Sequence, residues 1–98
     1  TQAIAGDCGG WQPVVAAHFP AEQVGKACAV MLCESGGRVD VANEQGSSAS
    51  GLWQFLDSTW ESVTGRPAPA GAYTPDEQTA AAAALWSSSG WSPWSCAR

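Results

Sequence analysis

Residues 21–37 read AEQVGKACAVMLCESGG, and the rest of the chain can be interpreted around this segment. Apart from Gly25, helix-forming and apolar residues predominate up to the closing glycine pair. Glycine readily adopts the left-handed conformation in which many helices end. The segment therefore predicts a central helix over residues 21–35. The last turn of that helix carries a half-cystine next to an acid, Cys33 and Glu34.

Three further helices are predicted around the central one. The first lies just before Pro20, and the other two begin with capping boxes, in which Ser or Thr is followed three residues later by Glu. The two boxes are Ser58 with Glu61 and Thr74 with Glu77, and Pro75 occupies the favoured first helical position of the second. The predicted helices cover residues 11–19, 58–65 and 74–88.

The segments between the helices predict little sheet. Residues 38–51 are rich in Ser and Gly, which predicts an irregular loop or a small hairpin. Residues 66–72 read RPAPAGA, which predicts a surface loop. The predicted fold class is mainly α, with minimal or no sheet, in a single domain spanning residues 1–98.

The four cysteines predict a secreted protein with paired thiols. Cys28 and Cys33 lie five residues apart in one predicted helix, which separates their Cα atoms by about 8.7 Å. A disulfide tolerates at most ~7 Å, so each must pair with Cys8 or Cys96. Two connectivities remain, and we favour Cys8–Cys28 with Cys33–Cys96. Either one ties both ends of the chain to the central helix.

Charge and composition exclude several classes of partner. The net charge of -5 argues against nucleic acid and against capture by anionic membranes. The longest apolar runs, residues 27–33 and 80–86, are far shorter than the ~20 residues that span a bilayer. No spacing of cysteines with the single histidine resembles a metal site. We therefore expect a monomer without membrane insertion, metal or cofactor.

Glu34 is the candidate catalytic residue. Ala27, Val30 and Met31 precede it by seven, four and three residues and share its helix face, so the carboxyl is expected to be partly desolvated. It also lies at the negative end of the helix dipole. Both effects favour the protonated carboxyl, which a general acid near neutral pH requires. The alternative is a solvated glutamate at a helix end.

An ordered set of short motifs extends from this glutamate. Cys33-Glu34-Ser35-Gly36-Gly37 is followed by Gly51-Leu52-Trp53-Gln54-Phe55, then by Ser58-Thr59-Trp60-Glu61, and later by a Gly-Trp pair ahead of the final cysteine. The set resembles the lysozyme superfamily, specifically soluble lytic transglycosylases and the resuscitation-promoting factors of actinobacteria, over residues 10–97. The resemblance implies a lysozyme-like fold, a peptidoglycan glycan strand as substrate and Glu34 as the catalytic acid and base.

The same resemblance implies a set of sugar-binding residues. The matching positions are Gln54 and Thr59, with Asn43 as a further residue of the groove. Trp53, next to Gln54, is the tryptophan best placed by sequence to stack on a sugar ring. The alternatives are a hydrogen bond from Gln54 to the loop backbone, a first-turn helix hydroxyl at Thr59, and a core position for Trp53.

The second carboxylate of true lysozymes has no counterpart here, because Ser47-Ser48-Ala49-Ser50 occupies that position. Retaining glycosidases need a nucleophilic carboxylate about 5 Å from the acid, and inverting ones need a base at about 6.5 to 9.5 Å. Asp40 and Glu44 are the nearby acids, and both are expected to face solvent. One glutamate suffices if the 6-hydroxyl of N-acetylmuramic acid attacks intramolecularly. The sequence thus predicts a lytic transglycosylase that cleaves the β-1,4 bond after N-acetylmuramic acid and forms 1,6-anhydro ends.

Two other functions stay open. One is a hydrolytic muramidase using Asp40 or Glu44, and the other is a non-catalytic peptidoglycan-binding or adhesion module. Trp91-Ser92-Pro93-Trp94-Ser95-Cys96 resembles the opening of a thrombospondin type 1 repeat, an extracellular binding module. All of these functions imply an extracellular location, at the cell wall or on a phage virion.

Overall fold

The computed structural model describes residues 8–43 and 46–97, and four α-helices form the frame of this part of the chain. The first helix packs against the second and the fourth, and the third packs against the fourth. Within the described residues, strand pairing is limited to two isolated bridges, Ala42 with Ser50 and Ser50 with Phe55. The mainly α fold with minimal sheet is therefore confirmed. The helices are α1 (Gln12–His18), α2 (Val24–Ser35), α3 (Asp57–Thr64) and α4 (Pro75–Ser89).

The central helix matches its prediction closely. A 3-10 turn over Ala21–Gln23 leads into α2, and Gly36 ends it in the left-handed conformation with φ 69°. The Gly36 N–H donates to the Leu32 carbonyl at 2.8 Å. The buried face of α2 contains Ala27, Val30 and Met31, as the helical spacing predicts. This face continues to Glu34 in the last turn and thereby fixes where the acid lies.

Aromatic rings fill the core between the helices and the segment that links α2 to α3. Trp53 stacks on Phe19 with centroids 5.5 Å apart and forms an edge-to-face pair with Trp94 at 6.0 Å. Phe55 meets Trp60 edge to face at 5.3 Å. Such pairs add to the large apolar area that each ring removes from water. None of the described helices is long and apolar enough to serve as a membrane span.

Two disulfides attach both ends of the described chain to α2. They pair Cys8 with Cys28 and Cys33 with Cys96, at Cα–Cα distances of 4.8 Å and 6.0 Å. The favoured connectivity is confirmed. The second bridge brings residues 91–97, called here the C-terminal strap, against the end of α2.

Loss of the second bridge is expected to cost more stability than loss of the first. The bridges span sequence separations of 20 and 63 residues. In the chain-entropy model these loops correspond to about 3 and about 4 kcal/mol of unfolding free energy. Urea unfolding of Cys8→Ala/Cys28→Ala and Cys33→Ala/Cys96→Ala, each against the unmodified chain, measures both values. An equal or larger loss for the Cys8 pair would contradict this order.

The capping box at the start of α4 is confirmed. The Thr74 hydroxyl accepts from the Glu77 N–H at 3.1 Å, and the Glu77 carboxylate accepts from the Thr74 N–H at 3.0 Å. A hydrogen bond from the Arg66 guanidinium, together with those from Thr74, holds the pKa of Glu77 below its ordinary value. Because the folded-state pKa is the lower one, this contribution to stability is present at neutral pH and is lost as acid protonates Glu77.

The capping box predicted at Ser58 is wrong. Helix α3 begins one residue earlier, at Asp57, so the Ser58 hydroxyl lies inside the first turn instead of at the cap. The Asp57 N–H donates to the Ser48 hydroxyl at 3.0 Å, and the Glu61 carboxylate accepts from the Ala68 N–H at 3.4 Å. The Ser48 hydroxyl therefore caps the first turn of α3, a role that the local sequence pattern assigned to Ser58.

The predicted surface loop over residues 66–72 is wrong in its second half. Ala70–Ala72 forms a 3-10 turn, and Ala70 is fully buried. The Gly71 N–H donates to the Ser50 hydroxyl at 3.0 Å, which docks this turn onto the segment between α2 and α3.

Candidate active site

Glu34 lies one residue before the end of α2, and its side chain is half-buried. Its Oε2 accepts a hydrogen bond from the backbone N–H of Cys96 at 3.1 Å. The disulfide from the preceding residue, Cys33, holds Cys96 in this place. The structure therefore places the acid at a helix end, as predicted, and couples it to the C-terminal strap.

A cleft of about 210 Å³ opens beside Glu34. Three parts of the chain form it: the end of α2, the segment between α2 and α3, and the strap. Among the described residues that line it, Glu34 is the only one with an ionisable side chain. The lining residues are Glu34, Asn43, Ser47, Ala49, Gln54, Pro93, Trp94 and Ser95.

Gln54 lines this cleft and also bonds to the loop backbone. Its Nε2 donates to the carbonyls of Gly51 at 3.0 Å and Val41 at 3.2 Å, which is the alternative raised from sequence. Its own backbone is in the left-handed region with φ 52°, a conformation unusual for a residue other than glycine. Within the described part of the chain its Oε1 has no hydrogen-bond donor, so that oxygen can accept from a ligand.

Asn43 and Ser47 lie in the segment between α2 and α3 and line the cleft from that side. The Asn43 N–H donates to the Ala49 carbonyl at 2.9 Å. The Ser47 hydroxyl accepts from the Ala49 N–H at 3.0 Å. These bonds fold the segment back on itself, and Asn43 lies in the cleft where sugar binding was predicted for it.

Thr59 does not line the Glu34 cleft. It lies in α3 beside a smaller adjoining cavity of about 60 Å³, together with Leu56 and Leu85. Gln54, Pro93 and Trp94 line both spaces, so the two adjoin. Leu56 is the one large hydrophobic side chain of the described chain that is exposed, at 47%.

The prediction that Trp53 stacks on a sugar is wrong. Its side chain is 0% exposed, its Nε1 donates to the Thr79 hydroxyl at 3.2 Å, and its ring packs against Phe19 and Trp94. Gln54 is half-buried, whereas the residues on either side of it, Trp53 and Phe55, are buried in the core. Among the described residues, Trp94 is the tryptophan that lines the Glu34 cleft.

The structure describes one of the two candidates for a second carboxylate. Asp40 is exposed and does not line the cleft. Glu44 lies outside the described residues.

Gln78 is the residue of this region that sequence reasoning missed. It lies in α4, is fully buried, and bonds to three backbone groups. Its Oε1 accepts from the Leu52 N–H at 2.7 Å, and its Nε2 donates to the carbonyls of Tyr73 at 2.8 Å and Val39 at 3.0 Å. A Cβ at Gly51 would collide with its Oε1, which explains glycine there. Ala81 and Ala82, three and four residues on, are also buried, and that helical spacing was the available signal.

A larger cavity of about 270 Å³ lies between α3 and α4. It shares no lining residue with the Glu34 cleft. Its two ionisable residues, Arg66 and Glu77, are paired with each other at 2.7 Å. We therefore assign the candidate active site to the smaller cleft.

A comparison with protein families identifies the family. A family model described as a transglycosylase-like domain matches residues 21–97, which include α2, Glu34, the cleft and the strap. No curated protein and no solved structure matches the chain.

Proposed function

Because this chain belongs to the transglycosylase-like domain family, we propose that it cleaves the β-1,4 bond between N-acetylmuramic acid and N-acetylglucosamine in peptidoglycan by lytic transglycosylation. The observation that carries the proposal is the position of Glu34. It is the only ionisable side chain among the described residues that line the cleft, and it lies in the segment that the family model matches.

In the proposed reaction, Glu34 acts twice. Its protonated carboxyl first donates a proton to the oxygen that bridges the two sugars, and the bond from that oxygen to C1 of N-acetylmuramic acid breaks. The carboxylate then removes the proton of the muramic acid 6-hydroxyl while the oxygen of that group bonds to C1. The proton returns to Glu34, the leaving sugar carries a new 4-hydroxyl, and the other end becomes a 1,6-anhydro ring.

This route suits a cleft in which Glu34 is the one acid among the described lining residues. The attacking hydroxyl belongs to the substrate, so its effective concentration is high and no second carboxylate has to activate water. Hydrolysis would need such a group, and the exposed Asp40 does not line the cleft. The mechanism uses no metal or cofactor, and its substrate places the protein at the cell wall.

We propose that Gln54 and Asn43 bind the sugars at the cleavage point. Their amides offer donors and acceptors suited to hydroxyl and N-acetyl groups. Thr59, in the adjoining cavity, would contact the next sugar along the strand, beside the exposed Leu56. At a net charge of -5, hydrogen bonds and shape are the expected source of affinity.

Replacing Gln54 with alanine is expected to raise KM. Loss of one substrate hydrogen bond of about 1 to 1.5 kcal/mol corresponds to an increase of up to about tenfold. Steady-state kinetics on soluble glycan fragments measures the change, and thermal unfolding checks that loss of the bonds to Gly51 and Val41 has not unfolded the loop. A variant that stays folded with an unchanged KM would remove Gln54 from the binding site.

Replacing Asp40 with asparagine is expected to leave both rate and products unchanged. The side chain is exposed and outside the cleft, so its charge has no role in the proposed reaction. Turnover of peptidoglycan by Asp40→Asn, compared with the unmodified protein, tests this. A large loss of activity would favour the hydrolytic muramidase.

Mass analysis of digested peptidoglycan tests the proposed function as a whole. Fragments ending in 1,6-anhydro-muramic acid, each lighter by one water than a reducing end, are the expected result. Reducing ends would indicate a muramidase. Binding to the cell wall without release of fragments would indicate a non-catalytic module.

A further inference from the structure

We infer that the backbone N–H of Cys96 is a positioning group for Glu34 and that it determines which carboxyl oxygen carries the catalytic proton. The inference rests on the proposed function of Glu34. It assigns a role to the C-terminal strap that neither the family match nor the motif around Glu34 provides.

The geometry of the hydrogen bond supports this assignment. The Cys96 N–H donates to Oε2 at 3.1 Å, and Oε1 has no partner in the described chain. An N–H group can only donate, and the carbonyl oxygen of a neutral carboxyl is a better acceptor than its hydroxyl oxygen. The neutral acid is therefore more stable with its proton on Oε1, the oxygen that remains available to the substrate.

The strap is fixed well enough to hold that donor in place. The Trp94 indole is almost fully buried and donates to the Trp53 carbonyl at 3.1 Å. The disulfide joins Cys96 to the residue directly before Glu34. A covalent bridge and a hydrogen bond thus link two adjacent residues of α2 to one residue of the strap.

The same N–H also contributes once the proton has left. After the first step Glu34 is a carboxylate, and a hydrogen bond to a charged acceptor is stronger than one to a neutral acceptor. The negative end of the α2 dipole opposes that charge, and the Cys96 N–H partly offsets it. The contribution grows as the reaction proceeds, so it is expected to affect kcat more than KM.

An ester in place of the Ser95–Cys96 amide tests the inference, because it removes this N–H and retains both side chains and the disulfide. Joining a synthetic C-terminal segment to the remaining chain gives this analogue of the full 98 residues. We expect kcat to fall about tenfold or more with KM within about twofold, as for loss of a hydrogen bond to a charged group. An ester at Ala97 is the matched control, since its N–H bonds to Trp94 in the same strap and does not touch Glu34. We expect the control to keep its kcat.

A second comparison covers the case in which the ester analogue does not fold. Cys33→Ser/Cys96→Ser is measured against Cys8→Ser/Cys28→Ser at a temperature where both are folded. The first pair is expected to lower kcat about tenfold relative to the second, because only its bridge holds the donor against the acid.

These outcomes separate the inference from the proposed function. If the Cys96 ester retains full kcat, or if both esters lose it equally, the positioning role is wrong even where Glu34 is essential. If Glu34→Gln retains activity, the proposed function fails first, and the positioning role fails with it.

Discussion

Replacing Glu34 with glutamine is expected to reduce turnover of peptidoglycan by at least about a thousandfold, because the amide can neither donate the acidic proton nor take up the second one. The variant should fold normally. Its side-chain oxygen can still accept from the Cys96 N–H, and the residue is only half-buried at the end of α2. Release of soluble fragments measures turnover, and thermal unfolding measures stability.

Glu22→Gln is the matched control for this variant. Glu22 is exposed in the 3-10 turn that leads into α2, so the same chemical change is made at the opposite end of the central helix. We expect full activity from it. If Glu34→Gln retained most of its activity while Glu22→Gln behaved normally, Glu34 would not be the catalytic acid.

Replacing Gln78 with leucine is expected to lower the free energy of unfolding by about 3 to 5 kcal/mol. The substitution keeps a similar volume but leaves the Leu52 N–H and the carbonyls of Val39 and Tyr73 without their buried partner. Each unpaired buried group costs about 1 to 3 kcal/mol, and some of this is recovered if the segment shifts to reach water. Small domains have only about 5 to 15 kcal/mol of stability, so the effect is large.

Urea unfolding of Gln78→Leu measures this loss, and Gln12→Leu, an exposed position in α1, is the control. Activity provides a second measurement. Because Gln78 holds Leu52, two residues before Gln54, the variant should lose affinity for substrate below its unfolding temperature. A loss of stability under 1 kcal/mol, the value of about one ordinary hydrogen bond, would show that the three bonds do not hold the segment as described.

Features set by neighbours in sequence could be predicted. Gly36 ends α2 because glycine adopts the left-handed conformation, and Thr74 with Glu77 starts α4 because their bonds lie within one turn. The spacing of Cys28 and Cys33 within one helix excluded a bond between them and left two connectivities, of which the favoured one is confirmed. The helical spacing of apolar residues also fixed the face of α2 on which Glu34 lies.

Features set by distant partners could not be predicted. Ser58 has the local sequence pattern of a helix cap, but the Asp57 N–H at the start of α3 donates to the Ser48 hydroxyl instead. The position of Trp53 next to Gln54 suggested stacking on a sugar ring, but the indole packs against Phe19 and Trp94 in the core. The contact between the Cys96 N–H and Glu34 joins residues 62 positions apart. Nothing in either local sequence specifies it.

Digestion of peptidoglycan in heavy-oxygen water provides the most direct measurement of whether the muramic acid 6-hydroxyl or a water molecule attacks C1, and therefore of whether one glutamate is enough. If the muramic acid 6-hydroxyl attacks C1, no oxygen from the solvent enters the product, and the newly formed ends should be unlabelled anhydro-muramic acid. If heavy oxygen appears at C1 of the newly formed ends, water is the nucleophile and the single-glutamate account is wrong.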